Sequence, residues 1–339
     1  MLHSFSSRAA ALTVFVSVLG LAACSKKDEA PPPVAAAPAA EAPVPAPAPA
    51  PAAQPAPAPK LSGVHSFTIG QAAAFALRDG GMELPNDNKV FGVGHTPEEV
   101  AALLTSAGLP TDKLQLSLQP LLVQTVDRVL LFDTGAGSNF GPNAGQLLAN
   151  LTAAGTDPKS VTDIFISHVH GDHVGGLVDA NGALNFPNAK IHIAKAEWKF
   201  LEGLGAEKAK NVGVSNYDAL VAGMKPKVDA FAPGSELVKG TVKAVDIKGH
   251  TPGHSGYLIT QGPDSLLYVG DSMHHSIVSV QKAEWPMNFD SDQATGAKSR
   301  AALIADSAAK GQRIYAVHFP FPGVGKFEKQ GEGFVWVAE

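Results

Sequence analysis

Residues 164–173 read IFISHVHGDH, in which an apolar run leads directly into three histidines and an aspartate. The run predicts a buried strand, so the polar cluster lies where that strand ends and a loop begins. His168 and His170 are two residues apart, which in an extended segment places both imidazoles on the same side. Imidazole and carboxylate groups together suit a borderline divalent ion such as zinc. This segment therefore predicts a metal site at a strand end.

The same arrangement recurs three times further along the chain. His250 lies in a GHTPGH motif, Asp271 in a Gly-Asp pair and His318 in an HFPFPG run, each directly after an apolar strand-like segment. Loops at strand ends can converge on one edge of a layered fold, where active sites gather. A lone histidine is usually an ordinary core or surface residue, but this combination favours metal binding.

The periodicity of the remaining chain indicates alternating strands and helices. The predicted strands are 118–126 and 128–132 as a hairpin around Asp127, then 161–167, 189–194, 242–247, 256–260, 265–269 and 314–317. The predicted helices are 98–107, 145–154, 194–204, 216–224 and 297–310. This interleaving predicts an α/β layered fold. The pattern leaves open the conformation of two candidate lid segments, 71–97 and 276–291.

Together with Asp133-Thr134-Gly135 after a strand, these motifs resemble the metallo-β-lactamase-fold hydrolases over essentially residues 61–339. The resemblance implies an α/β fold, the four-layer αββα sandwich, with a site for two divalent ions between the sheet edges. Zinc is the expected ion, although iron, manganese or cobalt suit the same ligands. Carried over to this chain, one ion takes His168, His170 and His250, and the other takes Asp172, His173 and His318. Asp271 would bridge both ions, and Asp133 would orient a ligand.

Such a centre implies a hydrolase without a serine or cysteine nucleophile. Two cations lower the pKa of a water between them, which gives a bridging hydroxide near neutral pH, and one cation polarises the substrate oxygen. Asp172 would guide this nucleophile or take up its proton. His274 follows Asp271 by three residues and is a candidate general acid, the plainer alternative being a solvated loop histidine.

Several further segments resemble the methyl parathion hydrolase branch of that family, among them FDTGAG at 132–137, HVGGL at 173–177 and HFPFPG at 318–323. The resemblance implies neutral small-molecule substrates, with lactones or aryl esters favoured and organophosphate triesters as the alternative. A non-catalytic, metal-binding surface lipoprotein is the second alternative. Phe140 matches a pocket aromatic of this branch. Trp198 and Phe200 are further pocket candidates, and packing of the helix against the core is the alternative for both. A homodimer is plausible from the family.

The first 60 residues differ in composition from the rest. Residues 1–23 read as a lipoprotein signal peptide, with an apolar run ending in Leu-Ala-Ala before Cys24, and a plain secretory signal is the alternative. Cys24 would then carry the lipid. Residues 24–60 hold twelve of the 26 prolines and predict a disordered, extended tether. We expect an exported protein anchored in the outer membrane and facing the periplasm.

Composition excludes some functions for the remaining domain, residues 61–339. Cys24 is the one cysteine among 339 residues, so neither a disulfide framework nor a cysteine-rich zinc site is possible. The whole chain has a formal net charge of −5 and this domain of about −6. An acidic domain of this kind disfavours nucleic-acid partners.

Overall fold

The computed structural model of this chain describes residues 63–339. The predicted signal peptide, the lipidation site at Cys24 and the tether lie outside the described residues. The strands are β1 Val64–Ile69, β2 Ala72–Leu77, β3 Gly80–Pro85, β4 Lys113–Leu118, β5 Leu121–Gln124, β6 Val129–Phe132, β7 Asp163–Ile166, β8 Lys190–Ala194, β9 Val228–Phe231, β10 Glu236–Val238, β11 Val242–Asp246, β12 Ser255–Gln261, β13 Asp264–Tyr268, β14 Ile314–Tyr315, β15 Val324–Gln330 and β16 Gly333–Ala338. The α-helices are α1 Pro97–Ser106, α2 Leu147–Ala153, α3 Gly171–Val174, α4 Lys195–Ala209, α5 Tyr217–Met224, α6 Val278–Gln281 and α7 Gln293–Lys310.

Two seven-stranded sheets form the centre of the domain. The first has the order β1-β2-β5-β6-β7-β8-β9, and the second runs in chain order from β10 to β16. The hairpin of β5 and β6 is antiparallel, whereas β6 to β9 are mutually parallel. Parallel neighbours require crossover connections, which here carry α2, α3, α4 and α5. The carboxyl ends of β6, β7 and β8 therefore meet along one edge of the first sheet.

Three apolar clusters define the layers. Side chains of both sheets, including Phe132, Phe165, Tyr257 and Tyr268, form the core between them. The outer face of the first sheet packs under α2, α4 and α5, and the outer face of the second packs under α7. This arrangement is the four-layer αββα sandwich, so the predicted fold is confirmed.

Local signals explain the helix that begins at Pro97. Thr96 and Glu99 form a capping box, in which the Thr96 hydroxyl accepts the Glu99 N–H and the Glu99 carboxylate accepts the Thr96 N–H. Proline at the first helical position suits this start because its missing N–H has no helical partner there. The prediction of a helix over 98–107 is confirmed with a shift of one residue at each end.

The predicted lid segments divide between a sheet and a separate small layer. Residues 72–77 form β2 inside the first sheet, so that part of the lid expectation is wrong. The rest of the first segment includes β3, which pairs antiparallel with β4 from outside the predicted lid. This strand pair packs with α1 and α6 around the lid cluster of Phe91, Val100, Leu104, Leu114, Leu116, Val278 and Met287. Within 63–339 no helix is both long enough and apolar enough to cross a membrane.

Candidate metal centre

The structure brings together the three histidines expected to share one ion. His168 and His170 follow β7, and His250 follows β11. The Nε2 atom of His250 lies 3.1 Å from Nε2 of His168 and 3.0 Å from Nδ1 of His170. We call these residues the three-histidine cluster. Their ligand atoms, with one carboxylate oxygen of Asp271, all lie within 4.8 Å of one another.

Asp172, His173 and His318 form a second group, the mixed cluster, with ligand atoms within the same limit of 4.8 Å. The Asp172 Oδ2 atom lies 3.6 Å from His173 Nε2 and 3.7 Å from His318 Nε2. His173 belongs to the short helix α3, and His318 comes from the loop after β14. The two clusters therefore draw on both sheets.

Asp271 lies between the clusters and offers one oxygen to each. Its Oδ1 is 3.2 Å from His173 Nε2 and 3.0 Å from His318 Nε2. Its Oδ2 is 3.5 Å from His168 Nε2 and 3.4 Å from His250 Nε2. This is the geometry expected of a bridging carboxylate.

Four of the five histidines donate through Nδ1 to a fixed partner, which leaves Nε2 facing the centre. His173 donates to Asp133 Oδ2 at 2.7 Å and His250 donates to Asp290 Oδ1 at 3.1 Å. His168 donates to the Ser167 hydroxyl at 3.0 Å, and His318 donates to the Ser117 carbonyl at 2.8 Å. Such partners select the tautomer and the ring orientation that suit a metal.

Asp133 is the most heavily used of these partners. Its Oδ2 also accepts the Ser167 hydroxyl at 2.6 Å and the Tyr268 hydroxyl at 2.7 Å, while Oδ1 accepts the Ser167 N–H at 2.7 Å. The residue has a positive φ of 58° at the end of β6, a conformation that aspartate tolerates better than most side chains. The structure thus places Asp133 where the resemblance implied an orienting group.

The two clusters differ electrostatically. Burial lowers the pKa of His168 well below its usual value, that of His170 to about 4 and that of His250 to about 3. Burial also opposes protonation of His173, but the carboxylates of Asp271 and Asp172 outweigh it and raise the His173 pKa well above its usual value. The three-histidine cluster therefore presents neutral imidazoles, whereas the mixed cluster pairs its histidines with carboxylates.

The side chains of the two clusters are suited to bind a pair of divalent ions. His173 Nε2 and Asp271 Oδ1 are buried without a hydrogen-bond partner, although buried polar atoms are normally satisfied. Among residues 63–339, no lysine or arginine forms an ion pair with Asp172 or Asp271. Convergent imidazole and carboxylate groups that lack a cation are the donor set that zinc and similar ions prefer.

Close backbone contacts hold the ligand loops in place. A Cβ atom on Gly175 would lie 2.1 Å from the Ala136 carbonyl oxygen, and one on Gly176 would lie 2.0 Å from that of Thr134. Only glycine allows the loop behind His173 to approach the Asp133 turn this closely. The backbone therefore passes close to the site at this glycine pair.

Members of both clusters form the polar floor of a cavity of about 400 Å³. His170, Asp172, Asp271, His274 and His318 contribute to the floor. The walls are largely apolar and come from Met82, Leu84, Leu116, Phe140, Val212 and Phe289. This volume lies within the range of small-molecule sites, roughly 300 to 1,000 Å³.

Of the three predicted pocket residues, one lies at the cavity and two do not. Phe140 lies on the cavity wall and is 36% exposed. Trp198 and Phe200 instead pack against the core beneath α4 and are not among the lining residues, which corrects the expectation for both. Phe289 and the lid-cluster residue Leu116 supply apolar walls in their place, and no periodicity in the sequence indicated them.

His274 is buried at the cavity floor rather than solvated in a loop. Its Nε2 lies 3.0 Å from Asp271 Oδ2, and its ring stacks on His318 with centroids 5.1 Å apart. Its Nδ1 is buried without a hydrogen-bond partner. This placement makes His274 available to a bound substrate.

Sequence reasoning missed two buried charged residues beside the centre. Glu197 accepts hydrogen bonds from both ligand-bearing loops. Arg300 donates to Asp290 Oδ2 at 3.2 Å and thereby supports the partner of His250. The sequence pattern of α7 indicates that Arg300 is buried, because it falls at helical spacing between Ala297 and Ile304. No pattern indicates the role of Glu197, because an acidic residue in the first turn of a helix is ordinary.

Comparison with known proteins adds independent findings. The family model described as the metallo-beta-lactamase superfamily matches residues 120–318. The dizinc quorum-quenching lactonase AidC, solved with the product N-hexanoyl-L-homoserine, is 28% identical with a TM-score of 0.75, covering 82% of this chain and 97% of that one. The hydrolase AbOPH of the beta-lactamase superfamily is also 28% identical with a TM-score of 0.75, over 83% and 98% of the two chains.

Curated relatives match over a shorter length. An N-acyl homoserine lactonase of Bacillus sp. is 28% identical over 169 residues, which is 44% of this chain and 61% of that protein. The chain spans 56% to 64% of the length of the first curated relatives that it matches.

Proposed function

Because this chain belongs to the metallo-β-lactamase superfamily, we propose that it is a dinuclear metallohydrolase that cleaves neutral esters, with lactones as the first substrate class. The observation that carries this proposal is the convergence of seven candidate ligand side chains, four of which line the floor of a mostly apolar cavity. The similarity to a lactonase solved with its acyl-homoserine product supports the same substrate class.

The cavity walls favour a neutral substrate with an apolar chain. Among the described residues that line the cavity, Lys210 is the one cation, and it pairs with Glu207 at 3.0 Å. Away from the metal ions, the walls would therefore give little charge compensation to a free phosphate or carboxylate on the part of the substrate that they contact. Met82, Leu84 and Phe289 offer surface for an acyl chain or an aryl ring.

The chain's own residues then have defined roles. Two bound divalent ions would supply an acidified water and polarise the carbonyl oxygen. Asp172 lines the cavity, and neighbouring histidines outweigh burial and hold its pKa below the usual value, so it is an ionised acceptor for the proton of the attacking water. As the ring C–O bond breaks, His274 is placed to give a hydrogen bond or a proton to the leaving oxygen.

A hydrolysis panel tests this function. The zinc-loaded protein should hydrolyse an acyl-homoserine lactone, dihydrocoumarin and an aryl acetate, while paraoxon reports on organophosphate activity. A His170→Ala variant is the matched control. If no substrate turns over faster than in the control, the enzyme proposal is wrong. Zinc bound without turnover would support a metal-binding lipoprotein instead, and paraoxon as the best substrate would support the methyl parathion hydrolase-like alternative.

We also propose that the protein is exported and lipid-anchored through Cys24. This part rests on the sequence pattern before that cysteine alone. Labelling cells with radioactive palmitate should mark the full chain and leave a Cys24→Ser variant unlabelled. Equal labelling of both would contradict the anchor without bearing on catalysis.

A further inference from the structure

Glu197 is a charged side chain that the proposed chemistry does not use. It lies in the first turn of α4 and is 0% exposed. Within residues 63–339 it forms no ion pair with a lysine, arginine or histidine. A buried carboxylate without a cation is costly unless donors satisfy it, so its contacts show what it does.

The contacts of Glu197 join two loops that are far apart in sequence. Its Oε1 accepts the Val169 N–H at 2.9 Å, and Val169 lies between His168 and His170. Its Oε2 accepts the Thr251 hydroxyl at 2.9 Å and the Gly253 N–H at 2.8 Å, directly after His250. One carboxylate therefore ties together the loops that supply all three imidazoles of the three-histidine cluster.

Close backbone packing fixes the position of Glu197 relative to the loop after His250. A Cβ atom on Gly253 would lie 2.3 Å from the Glu197 backbone nitrogen, so the GHTPGH loop lies directly against the start of α4. The mixed cluster is held by other groups, namely Asp133 at His173 and the Ser117 carbonyl at His318. Neither of these groups contacts Glu197.

We propose that Glu197 is a positioning residue that sets the spacing of the three-histidine cluster and hence the metal affinity of that cluster in particular. This inference rests on the proposed dinuclear centre. Both carboxylate oxygens accept hydrogen bonds. A glutamine would turn its amide N–H groups toward the donors of one of the two loops, so the hydrogen bonds from that loop would be lost.

The test is a cobalt titration of the full chain followed by visible absorption, which reports each occupied site. His250→Ala and His318→Ala provide reference spectra for the mixed cluster alone and the three-histidine cluster alone. In Glu197→Gln we expect affinity at the three-histidine cluster to fall 10- to 100-fold. Affinity at the mixed cluster should stay within about threefold of wild type.

Asp79→Asn is the matched control. Asp79 is also fully buried and accepts three backbone N–H groups, from Ala136, Gly145 and Leu147, but none from the loops of the three-histidine cluster. It should therefore keep wild-type affinity at that cluster. Thr251→Val removes one donor to Glu197 and is a milder second variant, expected to show a selective loss of roughly threefold to tenfold.

The outcomes are distinguishable. Unchanged affinity at both sites in Glu197→Gln, or no selective loss in Thr251→Val if the first variant does not fold, would overturn the positioning role and leave the proposed function intact. If Glu197→Gln and Asp79→Asn lose cobalt affinity equally at both clusters, Glu197 contributes only to the general stability of the fold. If the wild-type chain binds no cobalt, the proposed metallohydrolase function is itself wrong.

Discussion

Two groups of histidines and aspartates, largely buried except for the exposed Asp229, lie at opposite ends of β7. The candidate metal centre follows the end of the strand, beginning at His168. The other group, which we call the ion-pair group, consists of Arg128, Asp163, His192 and Asp229 and is reached from the start of the same strand. Both groups contain histidine and aspartate, but only the ion-pair group includes an arginine, and the atoms are arranged differently.

In the ion-pair group each carboxylate has a cation or donor beside it. Arg128 donates to Asp163 Oδ2 at 2.9 Å, and His192 Nε2 lies 2.9 Å from Asp163 Oδ1. In the metal centre the ligand nitrogens and oxygens face one another without a lysine or arginine among the described residues. Buried histidine and aspartate therefore indicate a metal only where lone pairs converge and no cation neutralises them.

The largest expected effect separates the two groups directly. His250→Ala removes a ligand of the three-histidine cluster, so we expect metal affinity there to fall more than about 100-fold and hydrolysis to fall about 1,000-fold. His192→Ala is the control from the ion-pair group, and it should keep two metals per chain. Elemental analysis and lactone turnover measure both. If His192→Ala also loses metal, the ion-pair group is not separate from the metal site and the contrast between the two groups is wrong.

A smaller effect is expected from the partner of His173. In Asp133→Asn an amide N–H group would face the donors of His173, Ser167 or Tyr268, so the ligand ring loses its fixed orientation. We expect zinc affinity to fall 10- to 100-fold, measured by chelator competition. Asp290→Asn provides the comparison on the His250 side. Wild-type affinity in Asp133→Asn would show that the ring is held by packing alone.

The ion-pair group should contribute to stability rather than to metal binding. Burial opposes ionisation of Asp163, but hydrogen bonds from His192, Thr162 and Arg128 outweigh it and lower its pKa to about 2. A lowered pKa stabilises the fold above about pH 4, the range of the unfolded carboxyl group, and this contribution is lost as the pH falls toward 2. Asp163→Asn should cost about 2 kcal/mol at pH 7.

Urea unfolding of the metal-free proteins measures this difference at several pH values. The gap in unfolding free energy between wild type and Asp163→Asn should narrow between about pH 4 and pH 2. Zinc stoichiometry should be the same in both at pH 7. A gap that does not depend on pH would show that the Asp163 charge contributes nothing.

The smallest expected effect concerns the cavity wall. Phe140→Ala removes apolar surface at the cavity mouth, so KM for a hexanoyl lactone should rise roughly 5- to 10-fold with little change in kcat. Trp198→Phe lies away from the cavity and should leave KM unchanged. Kinetics with acyl chains of increasing length measure both. A larger effect at Trp198 than at Phe140 would contradict the placement of the pocket.

Much of the fold followed from local patterns. The strand–loop order around His168, His250, Asp271 and His318 was correct, because apolar runs and abrupt polar ends are visible in a single segment. Eight strands escaped prediction, namely β1 to β4, β9, β10, β15 and β16. β2 is mostly alanine and β10 has only three residues, so neither carries a clear pattern. β4 does alternate strictly, with Leu114, Leu116 and Leu118 buried, so a strand signal was present just before the predicted strand 118–126.

The sequence by itself determined the ligand types, their order and their position after strands, because metal chemistry depends on the identity of a few side chains in short motifs. Tertiary structure decided which groups hold those ligands and which wall the cavity. Glu197 meets Thr251 and Gly253 across more than 50 positions, and Phe140, Leu116 and Phe289 reach one cavity from three separate segments. Packing between distant segments depends on the closed geometry of both sheets, so no local pattern encodes it.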